Sequence, residues 1–122
     1  HCPSTLQTYH IINAETLRLM PRGSYLINVA RGALIDETAL LEVLRSGHLA
    51  GAGLDVFDPE PAPADHPLFA LPNTICTPHM GSYTTAGLLR MQTMVCEQIV
   101  SALRGERPTH LVNAEVWGRQ RG

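Results

Sequence analysis

At 122 residues, 44% hydrophobic and 16% charged, the chain has the composition of one core-forming globular unit, not of a disordered segment. A net charge near −2, with no basic cluster beyond the short Arg119 to Arg121 tail, argues against a nucleic-acid surface. No apolar run approaches the ~18 residues of a membrane span. Three cysteines (Cys2, Cys76, Cys96) without CxxC spacing point to reduced thiols in a cytoplasmic setting and away from a disulfide framework.

The chain opens on His1 instead of Met, and we read it as a piece of a longer protein. Asn13 is a good N-cap for a short helix from Ala14 to about Met20, which Pro21 and Gly23 end. Ser24 to Ala30 is a short, mostly apolar run, the pattern of a strand buried on both faces of a parallel sheet. Asp36 can cap a second helix over about 37–46, with Leu40, Val43 and Leu44 on one side; Arg45 near its end and Gly47 after it supply the stop. Ala50 to Phe57 is a second strand of the same kind. A connection with prolines at 59, 61, 63, 67 and 72 follows, with room for one short turn between Ala64 and Phe69. Asn73 to Thr77 is a third strand, cut off by Pro78. The longest helix runs from about Thr84 to Leu103, where Leu88, Met91, Val95, Ile99 and Leu103 form a stripe widened by Leu89, Cys96 and Val100. A face that broad must be covered by something. Gly105 and Pro108 end it, and the tail shows no obvious element.

Alternation of this kind predicts βαβ units and a parallel α/β sheet wrapped by helices. Three strands do not complete such a layer, so the sheet is expected to have partners elsewhere.

Ligands of open α/β sheets bind outside the carboxyl ends of the strands. Arg31 follows the first strand, Asp55 and Glu60 lie at and beyond the end of the second, and His79 comes directly after the third. Each alone has an ordinary structural explanation: a solvated arginine, an aspartate bonding backbone N–H groups in a turn. Together they place an arginine, two carboxylates and a histidine on one sheet edge. Proline fixes its own φ and restricts the residue before it, so Glu60, between Pro59 and Pro61, has a stiff backbone. Arg31 presents a fork matched to a carboxylate. A histidine beside a carboxylate can donate and accept protons, and Glu60 paired with His79 would orient the ring. The set suits reduction of a carbonyl next to a carboxylate, with the hydride coming from a cofactor. A metal site built from Cys76 and His79 with His1, Cys2 or His66 lacks any paired-ligand motif. No GxGxxG is present; Gly47, Gly51 and Gly53 lead into a strand, the wrong context for a phosphate loop.

Several segments carry a family resemblance: His1-Cys-Pro, Leu26-Ile-Asn-Val-Ala-Arg-Gly32, Gly53-Leu-Asp-Val-Phe-Asp-Pro-Glu-Pro61 and Thr77-Pro-His-Met-Gly81, with Leu34-Ile-Asp-Glu37, Gly47-His-Leu-Ala-Gly51 and Pro72-Asn73 between them. Their order, with 29 residues from Arg31 to Glu60 and 19 more to His79, resembles the C-terminal part of a D-isomer-specific 2-hydroxyacid dehydrogenase, glyoxylate/hydroxypyruvate reductase-like in flavour. The resemblance implies a partial Rossmann-type sheet and an enzyme that interconverts small 2-oxo and 2-hydroxy acids with NAD or NADP, usually as a homodimer. It implies that 1–83 are the C-terminal half of the NAD(P)-binding domain, and that 84–122 belong to or contact a substrate domain to which the long helix returns. Arg31 then matches the substrate-carboxylate arginine, His79 the acid/base and Glu60 its partner. Asp55 matches an aspartate near the nicotinamide carboxamide, Val29 and Ala30 residues bordering the nicotinamide, Cys2 and Pro3 the adenosine side, and Gly81 another cofactor-adjacent position; Arg31 and His79 also border the cofactor.

The family's GxGxxG segment, its NAD-versus-NADP determinant and its N-terminal substrate domain have no counterpart here. The 122 residues alone are therefore expected neither to bind NAD(P)H tightly nor to turn over. Two other readings share the resemblance: a non-catalytic, NAD(H)-sensing module like the related corepressors, and a formate- or phosphite-dehydrogenase-like enzyme.

Overall fold

A computed structural model describes residues 2–118, so His1 and the Arg119–Arg121 tail lie outside the described residues. Helices α1 (Ala14–Leu19), α2 (Glu37–Arg45) and α3 (Thr85–Leu103) and strands β1 (Tyr25–Asn28), β2 (Gly51–Leu54) and β3 (Thr74–Cys76) run in the order α1-β1-α2-β2-β3-α3. Short 3-10 turns occupy Gly32–Leu34, Pro67–Ala70 and Ala114–Val116. The second fills the expected turn in the Pro-rich connection, and the third gives the tail an element the sequence did not suggest. The chain divides into two compact units, His1–Gly81 and Ser82–Gly122.

In the first unit the strands form one parallel sheet ordered β1-β2-β3, with Tyr25 opposite Gly51 and Ala52 opposite Thr74. The helices begin where polar side chains take up free N–H groups. Asn13 accepts from Glu15 and Thr16 while the Thr16 hydroxyl accepts from the Asn13 N–H, and Asp36 accepts from Ala39 at 3.1 Å. Helix α2 buries Ala39, Leu40, Val43 and Leu44 in a core shared with Leu17, Leu34, Ile35, Leu49, Leu54, Phe57 and Leu68. Each fully buried leucine is worth roughly 1.5–3 kcal/mol of transfer free energy.

Burial on both faces of the sheet does not hold. Strand side chains alternate between faces, and here Leu26, Ala52, Leu54 and Cys76 turn toward the core side. Tyr25, Ile27 and Ile75, on the opposite face, are 70–74% exposed. The apolar runs are those of doubly covered strands, but this unit supplies cover for one face. Each strand is also shorter than expected, so Val29 and Ala30, Asp55 to Phe57 and Thr77 are loop residues past the strand ends.

In the second unit α3 is capped by Thr84, whose hydroxyl accepts from the Gly87 N–H at 2.9 Å. None of its residues is buried; Leu89, Val95, Ile99 and Leu103 are each more than half exposed. Among the described residues no helix is long and apolar enough to cross a membrane.

Candidate active site

The loop after β2 and the turn after β3 are tied together by Asp55. It is buried, and its carboxylate accepts three hydrogen bonds: Oδ1 from the Thr77 hydroxyl at 2.5 Å and the Met80 N–H at 2.8 Å, Oδ2 from the Gly81 N–H at 2.9 Å. These donors, Thr77 foremost, hold the carboxyl below the usual aspartate range, against the opposing effect of burial. The backbone continues the tie. The His79 N–H donates to the Asp55 carbonyl at 2.8 Å, and the Thr77 N–H to that of Leu54 at 2.9 Å.

His79 sits on this turn with φ 52°, in the left-handed region that non-glycine residues rarely adopt. Its Nδ1 lies 2.7 Å from Oε1 of Glu60, on a loop whose Asp58–Pro59 and Glu60–Pro61 bonds are both cis. The side chains of His79 and Glu60 are 49% and 38% exposed. An ion pair that open contributes at most about 1 kcal/mol to stability, whereas a left-handed non-glycine residue costs of order 1–3 kcal/mol. The arrangement is therefore not explained as a stabilising contact. It presents the imidazole outward, with Nδ1 committed to Glu60 and Nε2 left for a ligand.

The third loop stands apart. Asn28, buried at the end of β1, donates from Nδ2 to the Arg31 carbonyl at 2.8 Å and accepts the Ala30 N–H at 3.0 Å, fixing the turn Val29 to Arg31. That turn and Cys2 and Pro3 line a recess of about 360 Å3. The Arg31 guanidinium bonds to the Ala30 carbonyl at 2.5 Å, and among the described residues no hydrogen bond or ion pair links it to Glu60 or His79. The expected residues thus fall into two groups: Asp55, Glu60, His79 and Gly81 in one hydrogen-bonded network, and Cys2, Pro3, Val29, Ala30 and Arg31 around one recess. The loops meet through backbone at Gly32, where a Cβ would lie 2.0 Å from the Phe57 carbonyl. Only glycine permits that approach.

Sequence reasoning overlooks four contributors. Thr77 and Asn28 act through single hydroxyl and amide contacts, which leave no periodicity to read. Glu37 and His66, in the sequence a helix residue and a stray metal-ligand candidate, are in contact: His66 Nε2 lies 2.9 Å from Glu37 Oε2. Burial raises the Glu37 carboxyl above the usual range, partly offset by the Asp58 N–H and by His66. Glu60 also lines a largely apolar cavity of about 560 Å3 that includes Phe57, Phe69, Cys76 and Thr77 in its wall. Burial pushes the Cys76 thiol up, away from thiolate chemistry.

A family model described as the D-isomer specific 2-hydroxyacid dehydrogenase NAD-binding domain matches residues 1–81. The chain belongs to the D-isomer specific 2-hydroxyacid dehydrogenases. Its match to this dehydrogenase family covers all three strands and every loop described above. A glyoxylate reductase of Thermofilum pendens is 46% identical over 116 residues, 95% of this chain and 34% of that protein. A D-3-phosphoglycerate dehydrogenase of Methanocaldococcus jannaschii is 47% identical over 113 residues, 93% of this chain and 21% of that protein. Among solved structures, the TT0316 protein of Thermus thermophilus matches with TM-score 0.88 and 50% identity over 92% of this chain and 36% of its own. The chain spans about a third of the length of the glyoxylate reductases it matches.

Proposed function

We propose that this dehydrogenase chain carries the catalytic loops of an enzyme interconverting a small 2-oxo acid, glyoxylate or hydroxypyruvate in kind, and its D-2-hydroxy acid. The observation that carries the reading is the 2.7 Å contact of Glu60 with Nδ1 of an outward-facing, left-handed His79. Glu60 keeps a proton on Nδ1, so the protonated ring donates from Nε2 to the oxo oxygen in reduction, and the neutral ring takes that proton back in oxidation. Arg31, which has no acidic partner among the described residues, holds the substrate carboxylate in its fork.

The residues suit a nicotinamide dinucleotide, NAD or NADP. The recess of Cys2, Pro3, Val29, Ala30 and Arg31 offers an apolar wall, with Val29 47% exposed, beside backbone shaped by Asn28. When bound, that cofactor supplies the hydride. Asp55 uses most of its acceptor capacity within the chain, and one lone pair on Oδ2 remains for a cofactor amide. Its larger task in this reading is holding Gly81 and the His79 turn in place. Residues 1–83 are the C-terminal half of the cofactor domain, and 84–122 a helix and tail belonging to or contacting a substrate domain. The exposed apolar side chains of α3 support that assignment. We place the enzyme in the cytoplasm as a homodimer. The likeness to a D-3-phosphoglycerate dehydrogenase favours, as a second reading, a phosphorylated 2-hydroxy acid.

The test is His79→Asn in the full-length enzyme, chosen because asparagine tolerates the left-handed backbone. Loss of the general acid lowers kcat for glyoxylate or hydroxypyruvate by about 10²–10⁴; an unchanged rate removes His79 from the role. Comparing kcat/KM for the free and phosphorylated acids separates the two substrate readings. The 122 residues assayed alone are expected to show no turnover, and normal reductase activity from them would refute that expectation.

A further inference from the structure

Glu37 lies at the start of α2, outside the proposed catalytic set, yet both oxygens of its carboxylate are engaged by one loop. Oε1 accepts the backbone N–H of Asp58 at 3.1 Å, where the loop leaves Phe57. Oε2 meets His66 Nε2 at 2.9 Å, where the loop re-enters the fold at the 3-10 turn. The opposite ring nitrogen, Nδ1 of His66, accepts the Leu68 N–H at 3.4 Å, so the proton sits on Nε2 and points at Glu37. The His66 ring is also set between Phe57 and Phe69, centroids 5.6 and 5.3 Å away. Glu37 and His66 are 16% and 11% exposed, so water competes little for these bonds. Glu60 stands two residues beyond Asp58, on the stretch stapled at both ends.

We infer that Glu37 is a positioning residue: through Asp58 and His66 it sets the loop that aims Glu60 at Nδ1 of His79. The inference rests on the acid–base reading of His79. A side-chain amide at position 37 has one acceptor atom where the carboxylate has two, so Glu37→Gln must abandon either the Asp58 N–H or the His66 Nε2–H. The loop then gains freedom at one end, and Glu60 no longer holds the imidazole in one orientation.

The experiment compares the full-length wild-type enzyme with Glu37→Gln, His79→Asn and the double variant. It measures kcat and KM for the oxo acid and the 15N signal of His79 Nδ1. A misplacement on the order of 1 Å is worth up to ~10² in rate. Glu37→Gln is therefore expected to lower kcat by roughly 10–10², leave KM within about twofold and move the Nδ1 signal. It should cause no further loss in the His79→Asn background. His66→Phe, which keeps the ring packing and removes the N–H, should act in the same direction more weakly, and it carries the test if Glu37→Gln does not fold. An unchanged kcat with an unmoved Nδ1 signal overturns the inference. So does an equal rate loss with and without His79, which would mark a general structural effect. If His79→Asn itself has no effect, the acid–base reading fails, and the positioning of Glu60 is then decided by the Nδ1 signal alone.

Discussion

The Thr77 hydroxyl donates to Oδ1 of Asp55 across 2.5 Å, joining the residue that follows β3 to the residue that follows β2. The two carboxylates of the loop after β2 thereby divide their work. Asp55 holds the turn from inside, and Glu60 holds the imidazole from outside.

Thr77→Val keeps the side-chain shape and removes the donor. A hydrogen bond to a charged group contributes about 1.5–3 kcal/mol, so the variant should lose stability of that order. Urea unfolding of wild type and variant checks this. A difference near zero would mean that water replaces the hydroxyl.

The pH dependence has a definite sign. Asp55 has a folded pKa below its unfolded value, which is near ~3.9. Its contribution is therefore fully present above the unfolded value and is lost as pH falls through the depressed folded one. Stability of the wild type should drop on acidification below about pH 4 more steeply than that of Asp55→Asn. Unfolding free energies measured across that range for both proteins decide it.

Gly32→Ala places a methyl group 2.0 Å from the Phe57 carbonyl, where only backbone can give way. Overpacking of this kind costs typically about 1–3 kcal/mol. Because the shift falls on the junction of the Arg31 turn with the Asp58–His66 loop, activity of the folded fraction should fall as well. Thermal unfolding and steady-state kinetics on the same preparation report both effects.

The backbone of His79 separates stability from catalysis. His79→Asn suits φ 52° and should stay within about 0.5 kcal/mol of wild type while losing the rate. A β-branched residue such as valine at the same position is strained there and should lose both. Parallel denaturation and activity curves distinguish the two substitutions.

Much of the framework is legible because it rests on local rules. The Asn13 and Asp36 caps, the apolar face of α2 and the alternation of helix and strand follow from neighbours a few residues apart. The parallel order of the strands follows from that alternation. Their places after strands single out Glu60 and His79, and the structure puts them in contact. Arg31 stands out on the same ground, but its side chain stays with Ala30.

What the chain determines by itself is thus the order and type of its elements, and which chemically able residues stand at the strand ends. Short-range hydrogen bonding and side-chain periodicity are written directly into adjacent residues. Tertiary structure alone decided that Glu37 meets His66, 29 positions away, and that Asp55 is spent on Thr77, Met80 and Gly81. It also decided which strand side chains turn toward the core of this unit and which turn to the opposite face. Those outcomes depend on which loops pack together and on how much apolar surface the neighbouring elements can cover, quantities that no window of sequence contains.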